Sequence, residues 1–345
     1  MKPPHDLQSR PKTDPTEIFR LRDGLYVVDL AAAALTGLDL FTWLSKKPAD
    51  KPTICQALGI QERPTDVMLT LFVALGWLRK ESEVLHLTEM AREFLVADSP
   101  SFLGPYYAAL KDRPVCKDML AVLRTGKPAN WGSFKDEKEW AKAMEGEAFA
   151  KHFTAAMDCR GAYLGPEMAR RLDLKDFKHV LDIAGGSGVY ACALAANHPH
   201  LKATVLEKPP VDKISREGIA RRGFSGRISV AVGNMFTDPF PAGCDIHLFS
   251  NVLHDWDEPV VRQLLAKSFA SLPPGGLLVI HDAHINAEKT GPLPVAAYSA
   301  LLMNISEGKC YSVTEMDAYL RDVGFGTFNY FPTAADRSVI TARKT

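Results

Sequence analysis

Two hydrophobic periodicities divide this chain of 345 residues. From Pro15 to about Leu174 apolar positions recur at helical spacing. The stretch "EIFRLRDGLYVVDLAAAALTGLDLFTWL" predicts one or two helices with a break near Gly37, too apolar for a single solvated face. Such a helix must pack on something, either the chain's own core or a second copy. Residues 50–95 then read as three short helices and a hairpin, the outline of a winged helix. Beyond Val180 the period changes. "HVLDIAG", "KATVLE", "ISVAVGN", "DIHLFSN" and "GLLVIHD" are strand-like runs, separated by the helical "VYACALAANHP", "VDKISREGIARRG" and "EPVVRQLLAKSFASL". Strands alternating with helices predict an α/β fold with a doubly wound parallel sheet. The chain closes on a helix, "SVTEMDAYLRDVGF", and two strands, "GTFNYFPT" and "RSVITARK", expected as an antiparallel pair at the far side of the sheet.

Composition narrows the partners. With 46% hydrophobic residues the chain can bury large cores, and its length suggests about two domains. Forty-one basic and forty-one acidic residues cancel, which leaves no overall charge to attract nucleic acid or an anionic membrane. The winged-helix outline raises DNA binding, but its charges argue otherwise. Lys51, Arg63, Arg79, Lys80 and Arg92 stand against Asp50, Glu62, Asp66, Glu81, Glu83, Glu89 and Glu93, and 5 − 7 gives −2. Phosphate contact needs a basic face, so a structural or dimerising role fits better. No run of about 18 apolar residues suggests a membrane span. Cys55, Cys116, Cys159, Cys192, Cys244 and Cys310 are scattered without metal-like spacing, as free thiols in a reducing compartment would be. The N-terminus has no apolar signal region, so a cytoplasmic protein is expected, its first 14 or so residues a mobile tail.

The first strand of the second half leads into "LDIAGGSGVYACALA". Gly185, Gly186 and Gly188 permit a sharp turn and close approach of a ligand to the backbone ahead of a helix N-terminus. Gly186 to Ala191 satisfies the Gly/Ala-tolerant dinucleotide fingerprint, with Glu207 about twenty residues on, so a nicotinamide cofactor is one reading. Two acids favour another. Asp182 at the strand end can anchor the loop and accept from a cationic amine, while Glu207 can take two ribose hydroxyls. A cofactor with a ribose, an ammonium and no pyrophosphate matches that pair, and S-adenosylmethionine is such a molecule. The structural alternatives are a loop brace for Asp182 and a solvated strand end for Glu207.

A second feature follows the strand "DIHLFS". In "SNVLHDWDE", Asp255 or Asp257 can cap the next helix. Yet ligands of open α/β sheets bind just outside the carboxyl ends of the strands, where His254 would reach one. Asp282 ends the neighbouring predicted strand and is the candidate partner for that ring. "HDAH" also invites a metal through His281, Asp282 and His284, but on a strand the two histidines point to opposite faces, which leaves too few ligands. Met144, Phe149, Phe153 and Met157 lie at helical spacing, as core residues would.

Together "LDIAGGSG", "VLEKPPV", "VGNMF", "SNVLHDWDE", "LPPGGLLVIHDAHI" and "GKCYSVTEMDAYLRDVGF" resemble the S-adenosylmethionine-dependent O-methyltransferases related to plant caffeate and hydroxyindole methyltransferases and to bacterial small-molecule methyltransferases. The likeness extends over nearly the whole chain. It implies a Rossmann-like methyltransferase sheet over residues 175–345, a winged-helix dimerisation domain over 15–100 and a helical linker and acceptor-pocket region over 101–174. It implies that the Gly185–Gly188 loop backs the methionine part of the cofactor, Glu207 binds its ribose, Asn234 and Met235 flank its adenine, and Trp256 stacks nearby. His254 becomes the general base and Asp282 the acid that orients it. Phe153, Met157, Met303 and Asn304 fall where the family builds its acceptor pocket.

Three positions depart from the pattern. Asn234 replaces the usual Asp, Ser250 stands where plant members have a cofactor-contacting Lys, and Cys310-Tyr311 replaces a Glu-Arg pair whose Glu is the second acid beside the base. Glu307 is near in sequence without a clear claim to that role. The expected reaction is methyl transfer to a hydroxyl of a small aromatic acceptor. A non-methylating reaction on the same fold and an NAD-dependent oxidoreduction are the alternatives, the latter without a tyrosine-lysine pair for hydride transfer.

Overall fold

The computed structural model describes residues 6–129, 142 and 146–345. Two compact units divide it, one of residues 1–17, 138–283 and 315–345, the other of residues 18–137 and 284–314.

The second unit is mostly helical. Helices α1 (Thr16–Asp23) and α2 (Val27–Ala32) continue through a π-helical turn, Ala33–Gly37, to α3 (Leu40–Lys46). The break expected near Gly37 falls at Leu38 and Asp39, where Asp39 takes φ +50°. Residues 24–26 form an additional turn between α1 and α2. Strand β1 (Ala49–Asp50) leads to α4 (Lys51–Leu58), α5 (Glu62–Ala74), the hairpin β2 (Leu78–Glu81) and β3 (Val84–Leu87), and α6 (Glu89–Phe94). Asp50 caps α4 by accepting from Thr53 N at 3.0 Å, and Thr88 caps α6 by accepting from Ala91 N at 3.3 Å. The strands order β1-β3-β2, all antiparallel. Phe41, Phe72 and Trp77 meet at ring-centre distances of 5.3–5.9 Å around buried Leu40, Leu44, Ile54, Met68 and Leu71. Helices α7 (Gly104–Ala108) and α8 (Pro114–Thr125) follow. Both alternatives for the apolar N-terminal stretch have a physical counterpart. Leu30 to Leu35, Leu40, Phe41 and Leu44 are core, whereas Ile18, Leu21, Leu25 and Val28 face solvent.

The first unit is the α/β part. Helix α9 (Glu147–Ala169) precedes β4 (His179–Ile183), α10 (Val189–Asn197), β5 (Lys202–Glu207), α11 (Val211–Arg221), β6 (Ile228–Val232), β7 (Ile246–Ser250), α12 (Glu258–Ser271) and β8 (Leu277–Asp282). The seven-stranded sheet has the order β6-β5-β4-β7-β8-β10-β9, with β9 (Phe325–Pro332) and β10 (Ser338–Lys344). The first five neighbours are parallel, and β10 is antiparallel to both β8 and β9. Its central strands β4 and β7 are largely apolar and enclosed; Val180, Leu181, Ile183, Ile246, Leu248 and Phe249 expose no surface.

The tail requires a correction. From Leu7 onward it is fixed: Leu7 is buried, its carbonyl accepts from Asn197 Nδ2 at 3.1 Å, and Gln8 Nε2 donates to Ala196 O at 2.7 Å. One apolar side chain and a few anchored backbone groups suffice, against a composition that reads as linker. Residues 284–311 carry no element expected from sequence, yet α13 (Leu293–Ile305) lies there, ahead of the expected helix, α14 (Val313–Val323). Helix α13 packs on α2, α5 and α8, and its residues Val295 to Asn304 are all buried. Apolar on every side, it offers no amphipathic contrast to detect. No single described helix is long and apolar enough to cross a bilayer.

Candidate active site

The carboxyl end of β4 opens into the glycine turn. Asp182 is fully buried at that end; its Oδ2 accepts from Ala191 N at 3.3 Å, and its Oδ1 has no hydrogen-bond partner. Gly186 takes φ +59° and a Cβ there would meet nothing within 4 Å, so the turn presents bare backbone to open space. Gly185 O accepts from Gly188 N at 2.9 Å, closing the turn into α10. At the end of β5, Glu207 Oε1 accepts from Gly186 N at 2.8 Å and Oε2 from Lys208 N at 3.1 Å. Burial pushes both the Asp182 and the Glu207 carboxyls up to about 7, against the backbone hydrogen bonds that favour ionisation.

Beyond β6, Asn234 Oδ1 accepts from Phe236 N at 2.9 Å in a local turn, and the buried Met235 offers its carbonyl to Lys267 Nζ at 2.7 Å. Trp256 is buried edge-on against Phe236, with ring centres 4.9 Å apart. Ser250, at the end of β7, is engaged sideways: its Oγ lies 2.9 Å from His281 Nδ1 and accepts from Asn251 Nδ2 at 3.2 Å.

His254 sits on a single 3-10 turn, Leu253–Asp255, just past β7, and Asp257 caps α12 by accepting from Val260 N at 3.2 Å. Since β7 and β8 are parallel neighbours with Ser250 opposite His281, the chain after β7 returns beside the end of β8. There His254 Nδ1 and Asp282 Oδ1 are 2.5 Å apart, both groups buried. A carboxylate only accepts, so Nδ1 carries a hydrogen, and in the neutral ring Nε2 keeps its lone pair. Asp282 Oδ1 is itself fixed by Ala283 N at 2.8 Å. Asp255 Oδ1 lies 3.7 Å from His254 Nε2. Burial works to lower the His254 pKa, but the Asp282 and Asp255 carboxylates and the hydrogen bond to Asp282 outweigh it and hold the ring above its ordinary value.

The candidate acceptor residues divide between the units. Phe153 and Met157 are half-buried on α9, the Phe153 ring stacked on Phe149 at 6.2 Å; Met144 lies outside the described residues. Met303 and Asn304 belong to the helical unit, buried on α13, and Asn304 leaves both Oδ1 and Nδ2 without a hydrogen-bond partner. Glu307 pairs with Lys127 at 2.9 Å, and Cys310 N donates to Ser299 Oγ at 3.1 Å. Among the described residues no group of three or more His, Cys, Asp or Glu could hold a metal.

Sequence reasoning passed over a polar chain at the same sheet edge. Asn251, at φ +55°, donates to Tyr190 OH at 3.0 Å and to Ser250, which meets His281. An asparagine directly after a strand is a signal for that left-handed turn. Asp158 of α9 was also missed; it contacts Ser187 of the glycine turn and Arg222.

A mostly parallel sheet with a glycine turn, strand-end acids and a histidine-aspartate contact at one edge fits a methyltransferase, and the chain belongs to the O-methyltransferase family whose domain matches residues 118–326. It is an S-adenosylmethionine-dependent O-methyltransferase. The 3-hydroxy-5-methyl-1-naphthoate 3-O-methyltransferase of Streptomyces sahachiroi is 32% identical over 314 residues, 90% of this chain and 89% of that protein. The crystal structure of an O-methyltransferase family 2 protein from Planctomyces limnophilus, in complex with apigenin, superposes with a TM-score of 0.89 at 32% identity and covers 99% of both chains. Human N-acetylserotonin methyltransferase in complex with S-adenosylmethionine shares the fold, with a TM-score of 0.61 at 22% identity over 97% of this chain and 99% of that one.

Proposed function

We propose that the acceptor is a small aromatic or polyketide-like phenol and that His254 is the general base. The observation that carries this is the 2.5 Å contact between His254 Nδ1 and Asp282 Oδ1 at the carboxyl edge of the sheet. The naphthoate and apigenin named for the two relatives above are both phenolic, which supports the acceptor class. S-adenosylmethionine, when bound, supplies a methyl group already activated by its sulfonium. A phenol with a pKa near 10 is a weak nucleophile at neutral pH, so the chain must align the oxygen and accept its proton. The proton passes to His254 Nε2, and Asp282 steadies the imidazolium that results.

The glycine turn fits that cofactor. Asp182 Oδ1 is a buried acceptor awaiting a donor, suited to an ammonium, and Glu207 holds two oriented oxygens for ribose hydroxyls. Gly185, Gly186 and Gly188 offer backbone to the methionine part. Asn234 and Met235 flank the adenine, Asn234 through its carbonyl oxygen, with Trp256 beside them and Ser250 making a side contact. Phe153, Met157, Met303 and Asn304 contact the acceptor.

Residues 15–100 serve as a winged-helix dimerisation domain, 101–174 as linker and acceptor region, and 175–345, apart from the segment 284–314 that belongs to the helical unit, as the catalytic domain of a homodimer. The exposed apolar side chains of α1 and α2 support a second copy as partner. Free cysteines suit a cytoplasmic location, and neither nucleic acid nor membrane is needed.

The test is mass spectrometry of hydroxylated aromatics incubated with methyl-labelled S-adenosylmethionine. Transfer of label to a phenolic oxygen is expected, and His254→Ala should lose roughly 10²- to 10⁴-fold in rate. Full activity in that variant would sink the base assignment. Tight cofactor binding with no acceptor gaining mass would favour a non-methylating reaction.

A further inference from the structure

The glycine turn is held from three directions. Glu207 takes Gly186 N, and Ser215 Oγ of α11 donates to Gly186 O. Both belong to the next strand-helix repeat, β5 and α11. The third hold comes from outside it. Ser187 Oγ donates to Asp158 Oδ1, and Asp158 lies on α9, which precedes the whole sheet in sequence. Arg222, at the end of α11, donates through Nη2 to both Asp158 oxygens at 2.7 and 2.8 Å. The guanidinium is nearly enclosed, at 8% side-chain exposure against 24% for the carboxylate, so this is a charge-assisted pair shielded from water.

Helix α9 is placed for the task by close packing. At Gly161 a Cβ would come within 2.3 Å of Val189 Cγ1, so the absence of a side chain lets α9 press directly on the first turn of α10. Asp158 lies three residues earlier, on the same face. Its carboxylate therefore reaches Ser187, the one non-glycine between Gly186 and Gly188. A turn of glycines has large conformational freedom, and each external hold removes part of it before a ligand arrives.

We propose that Asp158 is a positioning residue: clamped by Arg222, it fixes Ser187 and sets the glycine backbone in the shape that receives the cofactor. This rests on the reading that the turn is the cofactor site. It also links that turn to the helix that carries Phe153 and Met157. Asp158 acts through the turn and touches no reacting atom.

The experiment is calorimetric titration of S-adenosylhomocysteine into the full chain and into Asp158→Ala, Ser187→Ala and the double variant. Each single substitution should weaken binding about tenfold, the scale of one hydrogen bond to a charged group, and the double should be no weaker than the weaker-binding single because both remove one contact. A folded Asp158→Ala with unchanged affinity overturns the proposal, as does a double variant weakened by the product of the two losses. If Asp158→Ala does not fold, Ser187→Ala decides alone, since it deletes only a hydroxyl: unchanged affinity overturns the proposal. Glu207→Gln separates the two levels. Unchanged binding in that variant sinks the turn as the cofactor site, whereas loss there with wild-type affinity in the Asp158 and Ser187 variants sinks only the clamp.

Discussion

On the proposed mechanism a phenol gives up its proton only to a neutral His254, so the pKa of that ring would set the acid limb of the rate. Burial alone would depress it; the adjacent carboxylates, Asp282 foremost, raise it. Wild-type kcat/KM should therefore climb through pH values above the ordinary 6.5 of histidine. In Asp282→Asn the burial effect loses its main opponent, and the limb should move to lower pH while the maximal rate falls by about 10²-fold or more. A limb that stays in place or moves upward contradicts the pairing. For Asp182 and Glu207 burial is the cause of the rise and not its opponent. Both are raised to about 7, so without ligand the folded chain keeps protons that the unfolded chain has lost, and stability declines between about pH 4 and 7. An ammonium and ribose hydroxyls favour the ionised forms. Binding of S-adenosylmethionine at pH 6.5 should release protons, read as a dependence of calorimetric heat on buffer ionisation, and should tighten as pH rises through 7. Proton uptake would contradict the assignment. These acids and His254 were legible because strand ends are identifiable from sequence. Asp158 was not: its partners Ser187 and Arg222 lie 29 and 64 residues away, with no local pattern to join them.

Elements were legible where burial imposes one period. Strands β4, β5, β7 and β8 are enclosed and read as apolar runs; of the closing pair, β10 is buried from Ser338 to Ala342 and only β9 carries a partly alternating pattern. The helical unit was harder, because its cohesion comes partly from charge. Asp66 on α5 and Lys51 on α4 entered the sequence argument as a surface charge balance, yet Asp66 is buried and accepts from Lys309 Nζ at 2.6 Å, Lys289 Nζ at 2.9 Å and Lys51 Nζ at 3.3 Å. Lys289 belongs to the loop before α13 and Lys309 to the loop after it, 223 and 243 residues from Asp66. One carboxylate thus pins three segments. Burial would raise its pKa, but the three ammonium groups outweigh that and hold it well below the carboxylate range. A depressed pKa contributes stability that is complete above about pH 4 and lost as pH falls further. Asp66→Ala would leave three cations facing one another and should cost about 3–5 kcal/mol in urea unfolding at pH 7, a deficit that narrows toward pH 3. A cost below about 1 kcal/mol would mean the lysines relax to solvent and the contact is dispensable.

At the scale of the whole molecule, the apolar N-terminal stretch performs two tasks with one composition. Its second half is core, with Leu30, Leu40 and Phe41 at 0–1% exposure. Its first half is not: Ile18 is 74%, Leu21 83%, Leu25 56% and Val28 47% exposed. Ile18 and Leu21 share a face of α1, Leu25 lies in the turn that follows and Val28 opens α2. Single exposed apolar residues are ordinary, but four so close together favour the proposed contact with a second copy. Such a patch can pair with itself about a two-fold axis, so in the proposed homodimer the second copy supplies the matching face. A formal net charge of zero at pH 7 leaves no overall repulsion to oppose that association. Light scattering should therefore give the mass of two 37.9 kDa chains at micromolar concentration. Ile18→Glu with Leu21→Glu places two carboxylates against their symmetry mates and should yield a monomer of unchanged far-ultraviolet circular dichroism, since neither side chain supports the core of its own unit. A wild-type monomer would remove the dimer, and a dimer that survives both substitutions would place its interface elsewhere than on this patch.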